Sequence, residues 1–374
     1  MAELLCEHCN LRVQLPDLKH RERAMCPRCG NQLLAQRDNH TAYALAFALS
    51  ALIFLSLSVP FDFLLFRASG QQHTMDLFAG LITLSENDYT SLAVITALGT
   101  LILPGLSLLG IAYLEYQYQY GEPSFSNYRI HVWVNRLLPW SMAEIFLVGT
   151  LVSLIKITSM ADIYFGMSFY AYIAFTVCSA FTLLYYERNE VQIWLSDFYA
   201  GHEKPLDPQQ AVYSIQRTWA LLVTAVLFYV PANLLPIMHT NVLGNDEPST
   251  IIGGVVTLWE NGSYPVASVI FIASVIVPIV KMIVLAWLNY SVQQQQSNLS
   301  GIRAFSYRIT ELIGRWSMID VFVVAILVAL IQLGNTLSIY PGPAVIAFCA
   351  VVFITMLAAM TFDSRLIWYR YTHE

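Results

Sequence analysis

Eight apolar segments of membrane-spanning length constrain the fold of this chain more than any other feature. A bilayer core about 30 Å thick is crossed by roughly 20 helical residues. The segments that reach this length are 41–66, 91–114, 137–155, 163–186, 218–238, 263–288, 316–333 and 339–362. Only 12% of the residues are charged and the mean hydropathy is +0.56, so little of the chain is suited to water. The sequence predicts an all-α polytopic membrane protein with eight transmembrane helices.

The positions of the basic residues predict the orientation of these helices. Of the 19 Lys and Arg residues, six precede the first segment and ten lie in 117–136, 187–217, 291–315 and the C-terminal stretch. An eight-span count places all of these stretches on one side, and the positive-inside rule makes that side cytoplasmic. Both termini are therefore expected in the cytoplasm. Basic residues are too sparse for a nucleic-acid-binding surface, and the net charge is -6.

The second half of the sequence repeats the first. Residues 83–87 (TLSEN) match 257–261 (TLWEN) at an offset of 174, and 140–146 (WSMAEIF) match 316–322 (WSMIDVF) at an offset of 176. Each half has four apolar segments, which predicts a parallel duplication rather than an inverted repeat. The predicted divisions are 1–38, 39–190 (first four-helix unit), 191–214 (cytoplasmic linker) and 215–374 (second four-helix unit).

The longest outward loops in each half are also predicted to contain short strands. β-Branched and apolar pairs at 251–252 and 255–256 favour strands that cover the outer ends of the helices.

Four cysteines in the polar N-terminal segment predict a metal site. Cys6 and Cys9 form one CxxC knuckle, Cys26 and Cys29 form another, and sixteen residues separate the two. Two such turns supply the four thiolates of a tetrahedral zinc site, whereas a redox dithiol and a rubredoxin-like iron site are the alternatives. Four protein ligands leave no open coordination position, so one structural zinc ion in a small zinc ribbon is expected.

Ionisable residues within the apolar segments form a candidate polar site. Lys281 lies about 10 Å, and Asp320 about 6 Å, from the cytoplasmic ends of their segments, so the two could pair. Ser317 shares a helical face with Asp320, Thr355 lies at a depth of roughly 10 Å, and Glu144 is the first-half counterpart of Asp320. Other interpretations are a static ion pair that fixes helix register, an interfacial helix-start role for Asp320 and Glu144, and a hydroxyl of Thr355 that bonds only its own backbone.

No motif in the sequence indicates an enzyme. The HExxH and Walker A patterns are absent, and the Ser, His and Asp residues occur without a nucleophile elbow.

The ribbon, the duplication and several local motifs together resemble one known family. The motifs are 216–220 (QRTWA), 229–238 (YVPANLLPIM), 316–322 (WSMIDVF) and 362–368 (FDSRLIW). With the ribbon cysteines, they are similar to the paraquat-inducible protein A (PqiA)/LetA family over nearly the whole chain. One departure is that many relatives have a second zinc ribbon before the second half, whereas residues 197–213 contain no cysteine.

This resemblance implies a fold, a partner and a location. It implies a tetraspanin-like or claudin-like fold for each half, placed in the inner membrane of a double-membrane bacterium. It also implies a subunit that passes phospholipid to or from a periplasmic tunnel made by an MCE-domain protein. The family's polar membrane cluster maps onto Lys281, Ser317, Asp320 and Thr355, with Glu144 at the first-half acidic position.

Three functions remain open at this point. The first is a lipid-transporter subunit without ATPase activity, in which Lys281 and Asp320 form a polar switch. The second is a proton-coupled antiporter of small molecules that acts alone. The third is a membrane anchor for the tunnel protein that transports nothing itself.

Overall fold

The structure is a computed structural model of the full chain. It describes residues 3–6, 8–9, 11–15, 22–35, 37, 39–68, 71–86, 90–157, 162–200, 208–242, 245–260, 262, 264–294, 300–331 and 337–368. The chain divides into two compact units. The N-terminal unit comprises residues 1–81, 93–147 and 161–205, and the C-terminal unit comprises 82–92, 148–160 and 206–374. The four-part division expected from the sequence, with boundaries near residues 38, 190 and 214, stays a prediction.

The N-terminal segment folds as two small β-hairpins. Strands β1 (Glu3–Leu5) and β2 (Arg12–Gln14) pair antiparallel, and so do β3 (Arg23–Met25) and β4 (Gln32–Ala35). Leu4, Leu15, Ala24, Leu33 and Ala35 are buried. Because these few side chains form a very limited core, a segment of this size depends on a further stabilising element such as a metal ion.

Helices predominate in the rest of the chain. The elements up to residue 200 are α1 (His40–Leu57), β5 (Asp62–Ala68), β6 (Gln71–Asp76), α2 (Leu77–Glu86), α3 (Thr90–Ala97), α4 (Leu103–Tyr120), α5 (Phe125–Leu137), α6 (Ala143–Ile157), β7 (Asp162–Phe165), α7 (Met167–Tyr185), α8 (Arg188–Trp194) and α9 (Ser196–Ala200). Those after it are α10 (Pro208–Leu234), β8 (Met238–Val242), β9 (Asn245–Ser249), α11 (Ile251–Glu260), α12 (Tyr264–Phe271), α13 (Val277–Gln293), α14 (Ser300–Trp316), α15 (Ile319–Ile331), β10 (Leu337–Pro341) and α16 (Ala344–Thr361).

Small residues bring the long helices together. Helix α1 packs on α7 and buries Ala44, Ala48 and Ala51 completely, a spacing that keeps small side chains on one helical face. In the C-terminal unit, α10 and α16 pack together through Ala225 and Ala358, both fully buried. Close approach of this kind is the main source of helix association in a bilayer, where lipid is as apolar as the helix surface.

Each unit carries a three-stranded antiparallel sheet with the same connectivity. Strand β5 lies between β6 and β7, and β8 lies between β9 and β10. In both sheets, two strands form a hairpin after the first long helix of the unit. The third strand comes from the segment just before the last long helix of that unit. The fold is therefore mainly helical rather than purely α, and the shared topology agrees with the duplication read from the sequence.

The segment between α10 and α12 contains short strands, as expected, in β8 and β9. Residues 251–252 and 255–256 themselves belong to helix α11, so the predicted positions of the strands are wrong. The hydroxyl of Thr250 accepts a hydrogen bond from the backbone N–H of Gly253 at 3.0 Å and starts the helix. β-Branched residues favour strands only weakly, and this local cap outweighs that preference.

A second structural repeat lies inside the membrane helices. Residues Leu98–Ile102 and Ile272–Ile276 each form a π-helical turn, immediately before α4 and α13. Pro104 and Pro278 follow at the second positions of those helices. Proline cannot donate to the helical ladder and its ring crowds the carbonyl four residues earlier, and a widened turn accommodates both effects.

Seven helices of the described residues are long and apolar enough to cross a membrane. They are His40–Leu57, Thr90–Tyr120, Phe125–Leu154, Met167–Tyr185, Gln209–Leu234, Ala267–Gln293 and Ala344–Thr361. The expected span 316–333 contains the 13-residue helix α15, and residues 332–336 lie outside the described part of the chain. The protein is thus a multi-pass membrane protein, and the count of eight spans stays a prediction.

Candidate functional site

The four N-terminal cysteines converge on one point. Their Sγ atoms all lie within 4.8 Å of one another, with 3.5 Å between Cys6 and Cys29 and 3.4 Å between Cys9 and Cys26. Gly30 follows the second knuckle with φ of 67°, a conformation that glycine adopts without strain. This set of soft sulfur donors fits a tetrahedral metal ion with no open coordination position.

The local backbone favours the thiolate of Cys26 but not those of the first knuckle. Although burial raises the pKa of Cys26, backbone N–H groups of Cys29 and Arg28 lower it to about 7. Burial raises the pKa of Cys6 to about 11 and also raises that of Cys9, so metal binding there releases protons. Arg28 donates a hydrogen bond to the carbonyl oxygen of Cys9 at 3.4 Å, which links the two knuckles.

The ribbon is attached to the helices of its own unit. The side-chain amide of Asn189, in α8, donates to the carbonyl oxygen of Leu33 at 2.6 Å. The guanidinium of Arg37 donates to the carbonyl oxygen of Leu184, at the end of α7, at 2.5 Å. These two hydrogen bonds hold the ribbon against the ends of α7 and α8.

Lys281 is the centre of a second candidate site, inside the C-terminal unit. The residue is only 2% exposed, and its ammonium group donates to Thr355 Oγ1 at 3.1 Å. Thr355 is also buried, and its hydroxyl donates to the carbonyl oxygen of Val352 at 3.0 Å. Because the hydroxyl hydrogen of Thr355 is donated to Val352, the Thr355 oxygen offers a lone pair to the ammonium.

A glycine on a third helix leaves room beside this ammonium. A Cβ atom added at Gly314, in α14, would lie 3.5 Å from Lys281 Nζ. The site is thus formed by α13, α14 and α16, which together enclose the side chain of Lys281. Among the described residues Thr355 is the one side-chain acceptor of this ammonium, so two hydrogens remain for a ligand, water or carboxylate.

The other residues of the predicted polar cluster occupy different environments. Ser317 is buried one residue after the end of α14. The backbone of Asp320 lies in α15, whereas its side chain falls outside the described atoms, so the expected pairing of Asp320 with Lys281 stays a prediction. Glu144 is exposed in the first turn of α6 and belongs to the N-terminal unit.

A polar network in the N-terminal unit was not anticipated from the sequence. His40 Nε2 lies 2.8 Å from Glu190 Oε2, and Tyr118 donates to Glu190 Oε1 at 2.8 Å. Glu115 is 1% exposed, and its Oε2 atom has no hydrogen-bond partner among the described residues. Burial raises the pKa of Glu190, but the bonds from His40 and Tyr118 outweigh it and hold the pKa below its usual value.

One sequence signal could have revealed this network. Glu115 follows the apolar segment 91–114 directly, and its repeat counterpart, 174 residues later, is Asn289. Asn289 is also fully buried and donates to the carbonyl oxygen of Ile215 at 3.1 Å. A polar residue retained at the same place in both halves indicates an inward-facing position.

Comparison with known proteins assigns the chain to a family. The family model described as paraquat-inducible protein A matches residues 41–195 and 215–372. The chain is 37% identical to intermembrane transport protein PqiA of Escherichia coli (strain K12), with 98% of this chain and 95% of that protein covered. It is 27% identical to lipophilic envelope-spanning tunnel protein A of the same strain, with 97% of this chain and 90% of that protein covered.

A relative from another species adds to this result. The chain is 28% identical to a probable intermembrane transport protein of Haemophilus influenzae, with 99% of this chain and 97% of that protein covered. No solved structure matches the chain. The family model and the near-complete alignments show that this chain belongs to the paraquat-inducible protein A family.

Proposed function

We propose that this protein is an inner-membrane subunit that passes phospholipid to or from a periplasmic tunnel built by an MCE-domain partner. The names of its relatives, intermembrane transport protein and envelope-spanning tunnel protein, support transport of lipophilic cargo between membranes. In this proposal the chain crosses the inner membrane eight times, as two tetraspanin-like units, with both termini in the cytoplasm. It supports the integrity of the outer membrane.

The buried ammonium of Lys281 is the observation that carries this proposal. An ionisable group inside a membrane bundle is costly, and it is retained where it binds a ligand, an ion or a partner charge. A phospholipid offers a phosphate, and the Lys281 ammonium has hydrogens left to donate. Asp320 and Ser317 complete the polar cluster by pairing with the ammonium when no lipid is bound.

The cysteine cluster holds one structural zinc ion in this proposal. Its four thiolates match the donor set that zinc prefers, and a closed coordination shell suits a structural role. In this proposal the ribbon is a cytoplasmic support for the N-terminal helices, and its contacts with Asn189 and through Arg37 support that role.

Replacing Lys281 tests the proposed mechanism. We expect Lys281→Met, which keeps the length of the side chain, to abolish lipid transfer to the partner while the protein folds normally. The matched control is Ser107→Ala at the repeat-equivalent position, where the buried hydroxyl has no partner among the described residues and is expected to be dispensable. Lipid that co-purifies with the protein and its partner would be identified by mass spectrometry, and transfer followed with labelled phospholipid.

The other possible functions give different results. Full transfer by Lys281→Met, with an intact outer-membrane barrier in cells, would show that the chain anchors the tunnel or carries lipid elsewhere. Movement of a soluble substrate by the purified chain in liposomes, without any partner, would indicate an antiporter instead.

A further inference from the structure

A groove on the N-terminal unit has no role in the function proposed above. It lies between α4 and α5 and has a volume of about 450 Å³. Its walls are mainly apolar and include Leu106, Ile130 and Trp133, and Arg129 lines it as well. Leu106 is 50% exposed and Trp133 is 58% exposed, so the groove opens to the outside of the unit.

Gly110 forms the floor of this groove. A Cβ atom at that position would overlap the side chain of Val134, so α5 lies directly against α4 there. The larger side chains of Leu106 and Trp133 then stand on either side of the contact. The groove therefore follows a close contact between two helices.

Arg129 gives the groove its charge. It is exposed, and within the described part of the chain it makes no hydrogen bond or ion pair. Gly110 meets Val134, and Arg129 precedes Val134 by five residues, about 7.5 Å of helix. Helix α5 therefore carries an exposed cation beside an apolar groove, and such a guanidinium is stabilised by reaching an anion at the boundary between lipid and water.

The equivalent position in the C-terminal unit lacks the glycine but keeps a basic residue. By the repeat offset of 174, Gly110 corresponds to Val284, whereas the matching residues 128–130 and 307–309 (both YRI) pair Arg129 with Arg308. The glycine at the floor of the groove is therefore particular to the N-terminal unit.

We propose that this groove is a binding site for one anionic phospholipid. One acyl chain lies along Leu106, Gly110 and Trp133, and the phosphate accepts hydrogen bonds from the guanidinium of Arg129, whose planar fork matches phosphate oxygens. The apolar walls select a lipid over free phosphate. The site is separate from Lys281 and does not depend on transport, so it serves to hold a resident lipid of the leaflet next to α5.

The test uses the full-length protein in phosphatidylcholine nanodiscs with increasing amounts of a photoactivatable phosphatidylglycerol. We expect labelling to concentrate in peptides from 103–137 and to saturate. Arg129→Gln should raise the half-saturating lipid fraction about tenfold, because a charge-assisted pair is lost. Arg136→Gln removes the same charge from an exposed position on the same helix that does not line the groove, and it should leave labelling unchanged.

A second matched pair tests the apolar part of the groove. Leu106→Trp fills the groove and should reduce labelling, whereas Leu109→Trp, at a residue 54% exposed on the same helix, should not. Equal labelling within either pair, or equal labelling by a photoactivatable phosphatidylcholine, would overturn the proposal. Lys281→Met should label normally here, so a failure of this site and a failure of the transport proposal are distinguishable.

Discussion

The single hydroxyl of Thr355 makes two hydrogen bonds, one as donor and one as acceptor. The bond that it accepts stabilises the Lys281 ammonium. The hydroxyl hydrogen goes to the carbonyl oxygen of Val352, and the oxygen accepts from Lys281 Nζ. Threonine on a membrane helix often bonds only to its own backbone, as Thr224 does with Ala220. At Thr355 the same bond also orients a lone pair toward a charged group on another helix.

Thr355→Val removes this acceptor at constant shape. We expect it to destabilise the protein by about 1–3 kcal/mol, because the buried ammonium loses its described partner. Combining it with Lys281→Met should restore most of that stability, since both polar partners are then replaced. The measurement is thermal unfolding in detergent. The control is Thr224→Val, and an equal effect of the two threonine substitutions would contradict a specific role for Thr355.

Glu190 predicts a pH dependence in the N-terminal unit. Its folded-state pKa is held below the usual value, so its ionised form stabilises the protein above the unfolded-state pKa of about 4.3. That contribution is lost as the pH falls through the lower folded-state pKa. We therefore expect Glu190→Gln to be less stable than the wild type at pH 7 and to approach it on acidification.

The measurement is the difference in unfolding temperature between variant and wild type from about pH 7 down to about pH 3, a range that spans the ordinary glutamate pKa. Glu122→Gln is a suitable control, because Glu122 is exposed in the turn before α5. A difference for Glu190→Gln that stays constant with pH would show that the hydrogen bonds, rather than the charge, carry the stabilisation.

The elements differ in how far the sequence determined them. The ribbon was predictable because cysteine spacing restricts geometry directly, and the structure brings all four Sγ atoms together. The ends of the helices were less predictable, because the apolar segments of the sequence continue beyond the last helical residue. The first span was expected over 41–66, but its helix ends at Leu57. The hydroxyl of Ser58 donates to the carbonyl oxygen of Leu55, and Pro60 follows. Residues from Asp62 form a strand instead.

The candidate sites show the same limit. Depth along the helices predicted a similar level for Lys281 and Thr355, and the structure joins the two by a hydrogen bond, whereas their role stays a prediction. The approach of Gly314 to Lys281 and the network of His40, Tyr118 and Glu190 depend on how helices distant in sequence pack. Spacing within one helix contains no information about such packing.

Metal removal is expected to affect the ribbon and leave the helices folded. The ribbon has a very small core, so metal binding supplies its folding free energy, whereas the helices pack independently of it. We expect Cys26→Ser to lose the metal and to lose amide-exchange protection in strands β1 to β4. Protection at α1 and α7 should persist, with local loss near Asn189, whose amide contacts Leu33.

Elemental analysis and hydrogen exchange measure these effects, and the expectation is one zinc ion per wild-type chain. The control is Cys349→Ser, at a lone cysteine in α16. Unchanged exchange in the ribbon after complete metal loss would show that the ribbon folds without it.

At the scale of the whole molecule, the duplication has kept the topology and redistributed the ionisable groups. The N-terminal unit has a buried acid, Glu115, where the C-terminal unit has Asn289. The C-terminal unit has a buried amine, Lys281, where the N-terminal unit has Ser107. The buried groups therefore differ in sign between two units that share a sheet topology and a pair of π-helical turns.

An exchange of residues between the units tests whether this asymmetry matters. In the double variant Ser107→Lys with Lys281→Ser, the new ammonium has the counterpart of Thr355, which is Ser179, but the counterpart of Gly314 is Leu138. Because a leucine stands where the C-terminal unit has a glycine, we expect a loss of stability of about 3–5 kcal/mol and no lipid transfer. Adding Leu138→Gly should recover part of the stability without restoring transfer, since Glu144, the counterpart of Asp320, is exposed. Thermal unfolding and a labelled-lipid transfer assay measure the two effects separately. Wild-type transfer by the double variant would instead mean that either unit can carry the ammonium, and that the position of Lys281 in the C-terminal unit has no functional significance.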